Sequence, residues 1–231
     1  MVGLAFNYLF MAFGRPVRLS VSLLHPTFLK RGMGSLRKII YRAAKMTEWN
    51  KKYREMDEDS PPPSRLLQDL IKTLPAGRAL DLASGTGRNA LFLASHGYDV
   101  DALDSSSVAI EKGRRLADKT GANVNFITKD LKHYTVAEES YDLIINFNFL
   151  ERSLIPSMIK GLKKGGVIIF ETYTVDQVEI GPPRNPVYLL APNELLSLFG
   201  DLYITFYREG VFEERDRKRA LASIVARRQE H

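Results

Sequence analysis

From Arg78 to Arg227 short apolar runs alternate with longer stretches whose apolar residues recur at helical spacing, and this alternation restricts the chain to few folds. Arg78–Asp81, Asp99–Asp104, Val124–Thr128, Tyr141–Phe147 and Val167–Phe170 read as strands. Between them, 88–95, 107–119 and 154–162 read as helices, the last with Pro156 near its start. Strands that are apolar almost throughout must be covered on both faces, which is the situation in a parallel sheet flanked by helices. The last two runs, Leu202–Arg208 and Ala220–Arg227, are joined by the charged segment Glu213–Lys218 and pair as an antiparallel hairpin. The expected fold is therefore α/β: a doubly wound, Rossmann-like, mainly parallel seven-stranded sheet with an antiparallel C-terminal hairpin.

Two further helices complete the pattern. Leu66, Leu67, Leu70, Ile71 and Leu74 recur at helical spacing until Pro75-Ala-Gly77 stops them. Pro192-Asn-Glu194 opens another that carries Leu195, Leu196, Leu198 and Phe199. A loop from Thr174 to Ala191 holds Pro182, Pro183 and Pro186, and the acidic, proline-rich Asp57–Pro63 reads as a linker or exposed loop.

A chain of 231 residues is long enough for one domain with an appendage. Its formal charge of +6 is unevenly spread. Residues 1–47 carry Arg15, Arg18, Lys30, Arg31, Arg37, Lys38, Arg42 and Lys45 and no acid, so the remainder is slightly acidic. The body thus lacks the global positive field of a nucleic-acid binder. The expected organisation is a basic, poorly ordered extension over 1–46 and a catalytic domain over 47–231. The apolar stretch Val2–Phe13 is shorter than the roughly 18 residues a membrane span needs. The extension fits an organelle transit segment, an over-extended start with Met33 or Met46 as initiator, or a disordered or membrane-surface arm; for the domain a cytoplasmic location is expected. The chain has no cysteine, and His25, His96, His133 and His231 are widely separated, so no metal site is expected.

In such sheets ligands bind at the carboxyl ends of the strands. Asp81 ends the first strand, Gly85-Thr-Gly87 leads into a helix, and Asp104 ends the second strand, where a carboxylate can accept from two ribose hydroxyls. The combination points to an adenosine-containing cofactor. Gly85-Thr-Gly-Arg-Asn-Ala90 also satisfies the relaxed dinucleotide pattern, which keeps a nicotinamide-dependent oxidoreductase open.

Asp81-Leu-Ala-Ser-Gly-Thr-Gly87 resembles the first motif of class I S-adenosylmethionine-dependent methyltransferases. Lys129-Asp130-Leu131 resembles their adenine-contacting segment, and Leu162-Lys-Lys-Gly-Gly166 the turn before their fifth strand. Gly87-to-Ala94 and Gly97-to-Ala102 resemble the tellurite-resistance methyltransferase group, which usually has Gly and Cys where this chain has Ala83 and Ser84. The resemblance implies S-adenosyl-L-methionine as cofactor. It implies binding through Asp81, Ala83, Ser84, Gly85 and Gly87 for the methionine part, Asp104 and Ser105 for the ribose, and Asp130 and Leu131 for the adenine. Asn146 either contacts a ligand or caps its strand end. Glu171, a carboxylate in an apolar strand, is expected to face the cleft, with Tyr173 at the same rim lining the acceptor site. Arg184 either clamps an anionic acceptor or anchors its loop. Trp49 and Tyr53 either cover the cofactor or dock an edge helix.

The function implied is methyl transfer to a small molecule, possibly a soft or acidic anion, with no nucleic-acid partner. Three rivals stand beside it: an RNA or protein methyltransferase using the basic arm, the oxidoreductase, and a non-catalytic cofactor-binding protein.

Overall fold

The structure, a computed structural model, describes residues 10–12, 15–17, 48–56, 61–214 and 217–230. The chain divides into two compact units, 1–47 and 48–231. In the first, Phe10–Ala12 and Arg15–Val17 pair as short antiparallel strands. The order expected for the rest of the 1–46 extension concerns residues outside the described set.

The second unit is built on a seven-stranded sheet. Its strands are β1 (Arg78–Leu82), β2 (Asp99–Asp104), β3 (Val124–Thr128), β4 (Tyr141–Phe147), β5 (Leu162–Tyr173), β6 (Tyr203–Glu214) and β7 (Arg217–Arg227). Their spatial order is β3-β2-β1-β4-β5-β7-β6. Neighbours from β3 to β5 are parallel, and β7 runs antiparallel to both β5 and β6. The helices are α1 (48–55), α2 (Arg65–Leu70), α3 (Arg88–Ser95), α4 (Ser107–Thr120), α5 (Ile155–Gly161), α6 (Gln177–Ile180) and α7 (Glu194–Leu198).

Alternation along the strands sorts the core into two layers. Leu80, Leu82, Ile144, Ile168 and Phe170 meet Ile155 and Met158 of α5 and Leu195 of α7 on one face. Ala79, Leu143, Ile145 and Ile169 meet Leu66 and Leu67 of α2, Ala90 and Leu93 of α3 and Ile110 of α4 on the other. Asp81 falls on the second face, one step from Leu80 and Leu82. The start of α4 follows from its sequence: the Ser106 hydroxyl accepts from the Ala109 amide at 3.1 Å, satisfying a donor the helix cannot. Gly121, at φ 68°, ends it.

Three boundaries differ from the sequence reading. The helix expected through Leu74 gives way to a 3-10 turn at Ile71–Thr73. The Lys163–Gly166 turn lies inside β5: register passes from Tyr141↔Leu162 to Leu143↔Val167, and the looped-out residues are held where Gly165 N–H donates to the Arg228 carbonyl at 2.9 Å. The hairpin is longer than expected, because the ladder runs on through the charged segment to Glu213↔Lys218 and Glu214↔Arg217. Among the described residues no helix is long and apolar enough to cross a membrane, and no group of His, Asp or Glu could hold a metal ion.

Candidate cofactor and acceptor site

β1 delivers Asp81 to the start of α3. Its carboxylate accepts from the Ala90 backbone amide, and among the described residues its buried Oδ2 has no hydrogen-bond partner. Burial pushes this carboxyl up to about 8, against the pull of the Arg88 guanidinium and with a further push from Asp104. A carboxylate left half-satisfied is costly unless a ligand completes it.

The loop between β1 and α3 can turn this tightly because Ala83, Gly85 and Gly87 occupy the left-handed region, at φ 56°, 59° and 82°. At Gly87 a Cβ would lie 2.5 Å from the Phe126 ring, and at Gly85 2.7 Å from the Tyr53 hydroxyl, so both positions exclude a side chain by contact as well as by φ. Ala83, where the related group usually has glycine, carries the strain of that conformation. The Ser84 hydroxyl is buried without a partner.

Asp104, at the tip of β2, secures the loop. Its Oδ2 accepts from Gly85 N–H at 2.8 Å and its Oδ1 from Ser106 N–H at 2.8 Å. Burial raises its pKa, and the Ser106, Gly85 and Ser105 amides oppose that rise. Ser105 is half-buried beside it. The Lys129 amide donates to the Asp104 carbonyl at 2.8 Å, which fixes the segment after β3 against the tip of β2. There Asp130 is exposed and caps the Leu131–His133 turn by accepting from Lys132 N–H at 3.1 Å, while the Leu131 side chain is buried in the core. Asn146 stands next to Leu82 in the register. Its Nδ2 donates to the Phe149 carbonyl at 2.8 Å and its Oδ1 is buried without a partner, so it both caps the strand end and keeps an acceptor in reserve.

The structure therefore brings together Asp81, Ala83, Ser84, Gly85, Gly87, Asp104 and Ser105, with Asn146 and the Asp130–Leu131 segment on adjoining strand ends. Glu171 departs from the expectation of an open cleft residue. It is 4% exposed, and its Oε2 accepts from Ser223 Oγ at 2.7 Å and from Arg208 at 3.1 Å. These partners sit directly across β7 and β6 in the register, so one polar row ties the end of β5 to the middle of β7 and of β6. Tyr173 is half-buried at the end of β5 with the Arg219 guanidinium 6.0 Å from its ring centroid. Arg184 is exposed, and among the described residues no hydrogen bond or ion pair ties it to the site.

The Thr174–Ala191 loop is pinned rather than loose. The Gln177 side chain donates to the Pro182 carbonyl at 3.1 Å and accepts from Ala220 N–H at 2.9 Å. Arg152 donates to the Val187 and Leu189 carbonyls at 3.1 and 2.9 Å.

Over the glycine loop lies α1. Ser106 Oγ donates to Asn50 Oδ1 at 2.6 Å and Lys112 Nζ to the Met56 carbonyl at 2.7 Å, so both ends of this short helix are held against α4. Tyr53 is brought against Gly85, with Trp49 packed 6.0 Å from its ring. The aromatic pair was visible in the sequence, but its target was not.

A glycine loop between two strand-end acids, in a sheet of this order with an antiparallel penultimate position, is the frame of class I S-adenosylmethionine-dependent methyltransferases. The residues present fit that cofactor: an unsatisfied acid for an ammonium group, a second acid at ribose distance along the loop, and a cradle with no room for side chains. The family model "Tellurite resistance protein TehB" matches residues 45–213, and the chain belongs to this family. It is 31% identical over 153 residues to the probable S-adenosyl-L-methionine-dependent methyltransferase TehB of Haemophilus influenzae, covering 63% of this chain and 52% of that protein. It is 32% identical over 132 residues to probable thiol methyltransferase 2 of Arabidopsis thaliana, covering 52% and 58%. The crystal structure of TehB from Haemophilus influenzae superposes with a TM-score of 0.62 at 27% identity, covering 72% of this chain and 62% of that one. The chain spans about half the length of the curated TehB relatives it matches.

Proposed function

We propose that this protein transfers a methyl group from S-adenosyl-L-methionine to a small-molecule acceptor, an acidic or soft anion. The observation that carries the reading is the pairing of Asp104 with the Gly85 amide beside the unsatisfied, buried Asp81 oxygen, a constellation that suits a ligand bearing both a ribose and an ammonium group. When bound, the cofactor supplies a methyl group already activated by its sulfonium. What the protein must add is aim and exclusion of water, which together are worth roughly 7–11 kcal/mol. Asp81 takes the ammonium, Asp104 and Ser105 the ribose, and Asp130 and Leu131 flank the adenine. Ala83, Ser84, Gly85 and Gly87 bring backbone close to the methionine part, and the free Asn146 oxygen accepts from ligand or acceptor.

The small acceptor is supported by the pinned loop after β5, whose prolines and anchors suit a preformed pocket rather than a surface open to a macromolecule. The body's lack of excess positive charge agrees. A soft nucleophile such as a thiolate or a chalcogen oxyanion needs little general-base help; the family is named for tellurite resistance and one relative for thiol methylation. Tyr173 lines the acceptor side and Arg184 reaches the anion from the exposed loop. We assign residues 47–231 to this activity and the basic 1–46 extension to none of it.

Methyl transfer from labelled cofactor into extracted metabolites, RNA and protein tests the reading, with calorimetry of S-adenosylmethionine against NAD beside it. Label in metabolites supports it; label in RNA or protein favours the docking-arm alternative; binding of NAD alone overturns it. Arg184→Gln should raise the acceptor KM and leave cofactor affinity unchanged.

A further inference from the structure

Arg152 opens the 3-10 turn Arg152–Leu154 just after β4, and four of its five guanidinium N–H groups are committed. Nε and Nη2 donate to the two carboxylate oxygens of Glu194 at 2.5 and 2.8 Å, a bidentate fork. Nη2 donates also to the Leu189 carbonyl at 2.9 Å, and Nη1 to the Val187 carbonyl at 3.1 Å. Glu194, the first residue of α7, accepts in turn from the Ala191 amide at 2.8 Å. The hydrogen bonds from Arg152 hold the Glu194 carboxyl below its ordinary range, so the fork is an ion pair at neutral pH.

The residues gripped in this way stand on either side of Leu190: Leu189 is held by its carbonyl and Ala191 by its amide. The buried Leu190 faces the end of β5. Its N–H donates to the Tyr173 carbonyl at 2.9 Å, and its carbonyl accepts from the Val175 amide at 3.0 Å. These two bonds close the neck of the loop, so what fixes 189–191 also fixes the Tyr173 end of β5. The Asn148 amide, which donates to the Glu171 carbonyl at 2.8 Å, joins the ends of β4 and β5 from the other side. The bonds of Arg152 run to the loop and to α7, whereas the glycine loop is secured separately by Asp104. A lysine could not do the same, because an ammonium has no planar fork to serve a carboxylate and two carbonyls together.

We propose that Arg152 and Glu194 are a positioning pair for the methyl acceptor: through Leu190 they set where the Tyr173 end of β5 stands beside the end of β4, and so the width of the acceptor pocket. The inference rests on the methyltransferase reading, with Tyr173 on the acceptor side, and adds to it the pair that governs acceptor use independently of cofactor binding.

Arg152→Met, Arg152→Lys, Glu194→Gln and the double variant Arg152→Met/Glu194→Gln of the full chain test it. The probe is a metabolite extract, serially diluted and incubated with saturating labelled S-adenosylmethionine. Calorimetric titration of S-adenosylmethionine and amide hydrogen exchange over 185–193 accompany it. Exchange over that segment should quicken in each variant. The initial rate at high dilution, which follows kcat/KM, should fall about ten- to hundredfold in the arginine variants, the loss that a displacement of about an ångström brings. The half-saturating extract concentration should rise, and the cofactor Kd should not change. Lysine keeps the charge without the fork, so its variant should behave like the methionine one; the double variant should lose no more than Arg152→Met alone, since both groups act through one tie. Glu194→Gln keeps an acceptor oxygen and supplies the measurement where the arginine variants do not fold. Cofactor binding that weakens in step with acceptor use would make the pair a general structural tie. Faster exchange with unchanged methylation would detach the loop from the acceptor pocket, and a lysine variant equal to wild type would leave only a charge. Each of these three results overturns the proposal. If wild type binds the cofactor but labels no metabolite, the small-acceptor reading falls and the proposal with it; if it binds no cofactor, the methyltransferase reading itself falls.

Discussion

Asp81 should make cofactor affinity depend on pH. An ordinary aspartate ionises near 3.9, but burial lifts Asp81 to about 8, because only the Ala90 amide and the nearby Arg88 compensate for lost water. Between about 4 and about 8 the folded, ligand-free chain therefore holds a proton that the unfolded chain has released, and its stability falls as pH rises through that window. A cationic ammonium placed at Oδ2 favours the carboxylate, so binding at neutral pH expels the proton. A group that ionises at about 8 is about one-hundredth ionised at pH 6 and half ionised at pH 8, while the ligand's own amino group loses about half its ammonium form over the same range, so affinity should rise about twenty-five-fold between them. Calorimetry at pH 7 in two buffers of different ionisation enthalpy should count nearly one proton released per ligand bound. Asp81→Asn should bind more weakly at pH 8 and lose this release; the slope it retains belongs to the ligand's own amino group, which titrates near about 8. The same variant, ligand-free at pH 8, should melt above wild type because it no longer buries an ionised carboxylate. A flat wild-type profile from pH 6 to 8, with no buffer-dependent heat, would refute the reasoning.

Asp104→Ala should weaken the cofactor about ten- to hundredfold and also lower the melting temperature, since Asp104 holds the Gly85 and Ser106 amides; unchanged affinity in a folded variant would remove it from the site. Ala83→Gly relieves a left-handed alanine and should stabilise the fold by up to about 1 kcal/mol, or about 2–4 °C in Tm by thermal melt, with cofactor affinity kept. Glu171→Gln should cost about 1–3 kcal/mol in denaturant unfolding by weakening the row to Ser223 and Arg208, and combining it with Arg208→Met should cost less than the two singles together.

Much of the site was legible in the chain because its determinants are local. Gly85 and Gly87 announce a turn whose φ values only glycine adopts freely, and Asp104 marks a strand end because its apolar run stops there, whereas the strand that carries Asp81 runs one residue further, to Leu82. Glu171 misled for the opposite reason. An acid in an apolar strand reads as cleft-facing, yet its partners Ser223 and Arg208 are 52 and 37 residues away, and nothing local predicts that the middles of two other strands will meet it. Lys163–Gly166 likewise reads as a plain turn, because the Arg228 backbone that draws it into β5 comes from the far end of the chain.

Periodicity and backbone restriction act over a few residues, so the class of fold and the places of the glycine loop and the two acids can be read along the chain. What those acids experience cannot, because it is set by packing. The open Asp81 oxygen, the raised ionisation it entails and the Tyr53 phenol over Gly85 all depend on burial and on the docking of a helix 30 residues upstream of the loop, and desolvation is a property of the packed molecule, not of any segment of its chain.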